Sequence, residues 1–189
     1  MGKVLEQIDD RLLEFIQCQH LYFVGTAPSS DDGHINLSPK GHADTFSVVD
    51  QHTVAYLDLT GSGAESIAHL RENGRIVIMF CAFDGPPQIV RLHGRGRVVT
   101  PGDDEWAGLF DRFPDRPGAR AIVVVDVTRI SDSCGQAVPL YDYVADRDLL
   151  YRWAERKSDE QLDEYHRTRN ATSIDGLPGL PAPRRIDAP

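Results

Sequence analysis

Asn36-Leu37-Ser38-Pro39-Lys40-Gly41, then Thr53-Val54-Ala55-Tyr56-Leu57-Asp58-Leu59 running into Thr60-Gly61-Ser62-Gly63, open a stretch of 35–98 in which apolar segments alternate with short polar ones. The first and last of these read as small Gly-containing turns at the ends of strands. Turns of this kind let backbone amides and short hydroxyl side chains approach an anionic or ring-shaped ligand that bulkier residues would exclude. Ligand binding is therefore the first function the sequence suggests.

Outward from this stretch, strands are expected at 21–26, 46–49, 53–59, 75–83, 89–99 and 121–130, all rich in Val, Ile and aromatic residues and separated by Gly, Pro or Asp clusters. Ile35 restarts the chain as a hairpin partner after Pro28-Ser29-Ser30-Asp31-Asp32-Gly33. Six or more strands with few intervening helices predict a mainly β (α+β) fold, an antiparallel split β-barrel with peripheral helices, over a doubly wound parallel sheet. Val4, Leu5, Ile8, Leu12, Phe15 and Ile16 predict an amphipathic helix over 4–18. Short helices are expected at 64–71 and 103–113, and a longer one at 146–169 burying Leu149, Leu150, Trp153, Leu162 and Tyr165. Residues 1–175 then form a single domain, and 176–189 a Pro/Gly-rich tail that cannot fold alone but could dock on a partner surface.

With 189 residues and 41% hydrophobic content, the chain suits one core. A net charge of −9 argues against a nucleic-acid partner, whose affinity rests on clustered Lys and Arg. No membrane-spanning run or secretory signal is legible, so a soluble cytoplasmic protein is expected. Cys18, Cys81 and Cys134 are odd in number and lack a C-x-x-C pair. Cys81 reads as core and Cys134 as part of a polar loop.

Thr60, Ser62 and Ser66 surround a strand-to-helix turn, and the first amides of a helix form an anion site. Ser62-Gly63-Ala64-Glu65 also matches a capping box, in which Ser62 would cap the helix and Glu65 reach back. Alternation puts Arg91, His93, Arg95 and Arg97 on one face of their strand, opposite Gly94 and Gly96. That stripe is either a solvated face answering the acidic residues or a binding face. Lys40 is the only lysine between Lys3 and Lys157 and can act as a point-charge phosphate partner. His34, His42 and His52 lack the spacing of a metal site, and no residue stands out as acid, base or nucleophile. No catalytic residue is therefore assigned, a pattern found where a cofactor carries the chemistry.

The segments Asn36–Gly41, Val54-Ala55-Tyr56-Leu57-Asp58-Leu59-Thr60, and His69-Leu70-Arg71-Glu72-Asn73-Gly74-Arg75 before Ile76-Val77-Ile78-Met79-Phe80 resemble the pyridoxamine 5'-phosphate oxidase-like family of FMN-binding split β-barrels. The resemblance covers about the central third of the chain. It implies a homodimer with FMN in a groove at the dimer interface and a small-molecule substrate. Carried over, Asn36, Leu37, Ser38, Lys40 and Gly41 would lie along the flavin ring and ribityl chain. Thr60, Ser62 and Ser66 would lie near the phosphate, and Gln88 would contact ring or ribityl across the interface. Glu65-Ser66 stands where the family's oxidases carry Arg-Lys, so the phosphate would need Lys40, Arg91 or Arg95. The oxidases' C-terminal substrate residues have no match, which argues against pyridoxamine phosphate oxidation itself. Residues 173–178 would either close the site or pack as a tail. The expectation is an FMN-dependent oxidoreductase acting on a small molecule. The alternatives are a deazaflavin- or haem-binding relative, and a non-enzymatic dimeric ligand-binding protein that kept the barrel without the cofactor.

Overall fold

The computed structural model describes residues 2–181. Its strands are β1 (Lys3–Leu5), β2 (Leu21–Thr26), β3 (Asn36–Gly41), β4 (Phe46–Val48), β5 (Thr53–Leu59), β6 (Arg75–Cys81), β7 (Ile89–Val99) and β8 (Ala119–Ser133). The helices are α1 (Asp10–Gln17), α2 (Glu65–Asn73), α3 (Trp106–Phe110), α4 (Leu149–Glu155) and α5 (Asp159–Arg169).

The strands form one antiparallel sheet in the order β3-β2-β6-β7-β8-β5-β4, with β1 against the far half of β8. Tyr22 of β2 nevertheless meets Tyr56 of β5 and Phe46 of β4, at ring-centroid distances of 6.0 and 5.1 Å. Three strands separate β2 from β5 along the ladder, so the sheet must curl until its two ends face one another. Alternate residues of β2, β5, β6, β7 and β8, among them Val24, Val54, Ile78, Phe80, Leu92 and Val125, fill the inside with Leu12 and Ile16 of α1. The opposite face of β5 and β8, carrying Ala55, Leu57, Ile122 and Val124, packs under Trp106, Leu109 and Phe110 of α3. β5 is thus apolar on both faces, which is why its sequence shows no clean alternation.

Several expectations are corrected. Val4 and Leu5, expected in the helix, instead belong to strand β1, and α1 begins only after Asp9, whose carboxylate accepts the Leu12 amide at 2.8 Å. Asn36–Gly41 is an edge strand and not a turn, paired with β2 so that Phe23 faces Pro39. Proline is tolerated there because it donates nothing to the ladder of an edge strand. The long C-terminal helix is two helices, since Ser158 and Gln161 form a capping box that starts α5 afresh. Around α4 the inward side chains are Tyr151 and Ala154, while Leu149 is 66% exposed. In β7 a bulge at His93/Gly94 shifts the register against β8. A Cβ on Gly94 would lie 2.3 Å from the Asp126 carbonyl oxygen, so this position is confined to glycine.

Of the expected tail, residues 176–181 are tied down. Gly179 and Leu180 donate to the carbonyls of Ala171 and Asn170, and Arg71 bonds the Gly179 carbonyl. Residues 182–189 lie outside the described residues.

Candidate functional site

The two ends of the curled sheet leave a seam between β3 and β5, and the loop from β5 to α2 runs along it. Alternation on β3 turns Asn36, Ser38 and Lys40 toward the seam and Leu37 outward, where it is 65% exposed. A cavity of about 430 Å³ opens here, lined by Asn36, Ser38 and Lys40, residues 61–66 and Arg120.

Its charged floor is built from three strands. Lys40 of β3 reaches across the seam to Asp58 of β5, Nζ to Oδ1 at 2.6 Å, while Arg120 of β8 donates Nε–H to Asp58 Oδ2 at 2.8 Å. Asp58 and Arg120 are both buried. Burial alone would raise the Asp58 carboxyl, but the joint attraction of Arg120 and Lys40 outweighs it and holds the group at about 2. Two cations face one carboxylate on this floor, and the Glu65 carboxylate on the wall above it brings the charges lining the cavity into balance.

The turn before α2 is held from two sides. Arg120 Nη2 donates to the Gly63 carbonyl at 2.9 Å, and Asn170 Nδ2 donates to the Gly61 carbonyl at 3.0 Å. These bonds keep residues 61–63 out of the helix, so the expected capping box does not form. Ala64 is the N-cap and supplies no side-chain oxygen, and Ser62 stands exposed on the rim. Glu65 occupies the first helical position, and its carboxylate accepts the Ile174 amide at 3.3 Å. The opening amides of α2 therefore carry no side-chain cap.

A hydrogen-bonded chain joins β3 to β2 and α2. Asn36 Nδ2 donates to Ser66 Oγ at 3.0 Å and to Thr26 Oγ1 at 3.1 Å. Ser38 donates to Asn36 Oδ1 at 3.0 Å, and Thr26 Oγ1 lies 3.0 Å from His69 Nδ1.

Of the ten residues expected to bind a cofactor, Asn36, Ser38, Lys40, Gly41, Ser62 and Ser66 line this cavity. Thr60 is buried with its hydroxyl turned elsewhere, donating to the Gly118 carbonyl at 2.8 Å and accepting from His166 Nε2 at 2.9 Å. Gln88 and Arg91 lie apart, bonded to Asp132 and Ser133 respectively. The other stripe arginines are also engaged: Arg95 donates to the Asn73 carbonyl and Arg97 pairs with Glu105. Arg120 and Asp58 escaped the sequence reading. A lone arginine at the head of the apolar run Ala121-Ile122-Val123-Val124-Val125, and a lone aspartate closing Val54-Ala55-Tyr56-Leu57, were the signals that could have found them.

A curled antiparallel sheet with a polar cavity at its open seam is a split β-barrel. The model of the pyridoxamine 5'-phosphate oxidase family matches residues 8–134, and the chain belongs to that family. It is similar to the pyridoxamine 5'-phosphate oxidase family protein ustO of Aspergillus flavus, 41% identical over 191 residues, covering 93% of this chain and 76% of that protein. Among solved structures, it resembles HupZ of Group A Streptococcus with a TM-score of 0.50 and 22% identity, covering 71% of this chain and 99% of that one. A variant of the same HupZ gives a TM-score of 0.51 and 23% identity over 67% of this chain and 99% of that one. At such identity these two likenesses concern the fold. Among the described residues, no helix is long and apolar enough to cross a membrane.

Proposed function

We propose that this protein is an FMN-dependent oxidoreductase acting on a small molecule as a cytoplasmic homodimer. The observation that carries the reading is the cavity at the seam, where the uncapped start of α2, the Ser66 hydroxyl, Lys40 and Arg120 converge. These groups fit the phosphate end of a flavin nucleotide, since helix amides and adjacent cations favour an anion. The volume, about 430 Å³, falls among small-molecule sites.

Lys40 would meet the phosphate or ribityl oxygens as a point charge, while Asp58 fixes its direction across the seam. Arg120 contributes positive potential from beneath and keeps the 61–63 backbone open. Asn36 and Ser38, on the inward face of β3, would bear on the ribityl chain and ring. Glu65 stands where an Arg-Lys pair would otherwise begin, but its carboxylate is engaged by the Ile174 amide. Bound FMN would supply hydride or electron transfer, and the protein its placement and shielding from water. Gln88 and Arg91 would act across the dimer interface. Free Cys18, Cys81 and Cys134 suit a reducing compartment.

Titrating purified protein with FMN tests the reading. Expected are saturable quenching of flavin fluorescence at about one flavin per protomer and a flavin absorption spectrum of the complex. Absence of binding at micromolar FMN overturns it. A deazaflavin or haem spectrum in the purified protein would transfer the seam to that cofactor, and a protein binding none of them is a binding module.

A further inference from the structure

His69 lies on α2 with its imidazole wholly buried, and Nε2 has no hydrogen-bond partner among the described residues. A buried unpaired polar atom is costly and rarely kept without a use. Its other nitrogen, Nδ1, is 3.0 Å from Thr26 Oγ1, the far end of the chain that runs through Asn36 to Ser66 and Ser38 at the cavity wall.

The directions of these bonds follow from counting protons. Thr26 Oγ1 has two partners among the described residues, His69 Nδ1 and Asn36 Nδ2. Asn36 Nδ2 can only donate, so the Thr26 proton must go to His69 Nδ1. Were His69 to donate from Nδ1 instead, both the Thr26 proton and the Nε2 lone pair would be stranded. The first arrangement strands Nε2–H alone. It requires a neutral imidazole, and burial lowers the His69 pKa against the pull of Asp175 on the C-terminal segment and of Glu72 and Glu65 on α2. With Thr26 set, both Nδ2 protons of Asn36 are spent on Thr26 and Ser66, and Asn36 Oδ1 takes the Ser38 proton. Ser66, having accepted from Asn36, keeps its own proton, which can turn to the buried Tyr56 hydroxyl at its side or to a ligand in the cavity.

We propose that His69 is the positioning residue of the seam cavity: by accepting at Nδ1 it fixes the direction of the Thr26–Asn36–Ser66 chain, so that Ser66 presents a donor to the anionic end of the bound ligand. This assignment rests on the flavin-nucleotide reading for its affinity effect, but the bond direction does not.

Two measurements test it. In long-range ¹H–¹⁵N spectra of the wild-type protein at pH 7.5, His69 should be neutral and carry its proton on Nε2. A proton on Nδ1 overturns the proposal whether or not FMN binds. For affinity, His69→Asn retains a polar atom where Nδ1 stands, whereas His69→Leu does not. The leucine variant should bind FMN about tenfold more weakly, the equivalent of one hydrogen bond, and the asparagine variant within about threefold of wild type. Both should lose thermal stability, so stability and affinity separate. Equal affinities in the two variants overturn the positioning role. If the wild type binds no FMN, the functional reading fails, while the tautomer still decides the direction of the chain.

Discussion

Replacing Asp58 by asparagine removes one negative charge from between Lys40 and Arg120 while keeping the side chain's shape. In the folded protein the Asp58 carboxyl is depressed from its ordinary 3.8 to about 2, the attraction of the two cations exceeding the opposing effect of burial. At about 1.4 kcal/mol per tenfold in the ionisation constant, the charge contributes about 2 kcal/mol to folding at neutral pH. Removing one partner of a buried ion pair costs about 3–5 kcal/mol, and asparagine softens this by keeping a carbonyl acceptor. A loss of about 2–3 kcal/mol is therefore expected for Asp58→Asn at pH 7. Because the folded-state value is the lower one, the contribution is complete above 3.8 and is lost as pH falls toward 2. Urea denaturation of wild type and variant, followed by tryptophan fluorescence from pH 7 to pH 2, should show two stability curves that converge at the acid end. A gap under about 0.5 kcal/mol at pH 7, or one that stays constant to pH 2, refutes the reasoning.

Two further outcomes are expected. Gly94→Ala forces a Cβ to within 2.3 Å of the Asp126 carbonyl oxygen at the β7 bulge and should cost about 1–3 kcal/mol in the same assay, with cavity ligand affinity unchanged in the fraction that folds. Lys40→Met keeps the stem but removes the charge facing the cavity, so FMN affinity measured by fluorescence quenching should fall about 10–100-fold, and unchanged affinity would remove Lys40 from the site.

What was legible in the sequence was local. β2, β5 and β7 occupy their expected bounds, because β-branched runs closed by Gly, Asp or Pro determine strands without reference to distant residues. What was missed depends on partners far along the chain. Val4 and Leu5 fit a helical stripe, but β8 offers Lys3–Leu5 a free edge opposite Ile130-Ser131-Asp132. Asn36–Gly41 carries the composition of a turn, yet β2 presents six consecutive partners for it. Ser62 and Glu65 satisfy a capping pattern that Arg120 and Asn170 override by holding the preceding carbonyls. The start of α5 was a different kind of miss, since Ser158 and Gln161 already spell the capping box that breaks the helix. Asn36, Ser38 and Lys40, singled out through family resemblance and small-residue chemistry, line the seam cavity. Arg120 was not singled out, because its partner Asp58 lies 62 positions away and the strand around it reads as core.

The bond from Asn170 to the Gly61 carbonyl spans 109 positions of chain, and it helps shape the very loop that edges the cavity. During synthesis the residues of all eight strands, from β1 through β8, are made before Asn170. Of the two side chains that hold the loop between β5 and α2, Arg120 belongs to the sheet and Asn170 to the segment after α5. Pairing of the sheet therefore makes no use of residue 170, whereas the edge of the cavity takes its final form only once the segment carrying Asn170 has docked.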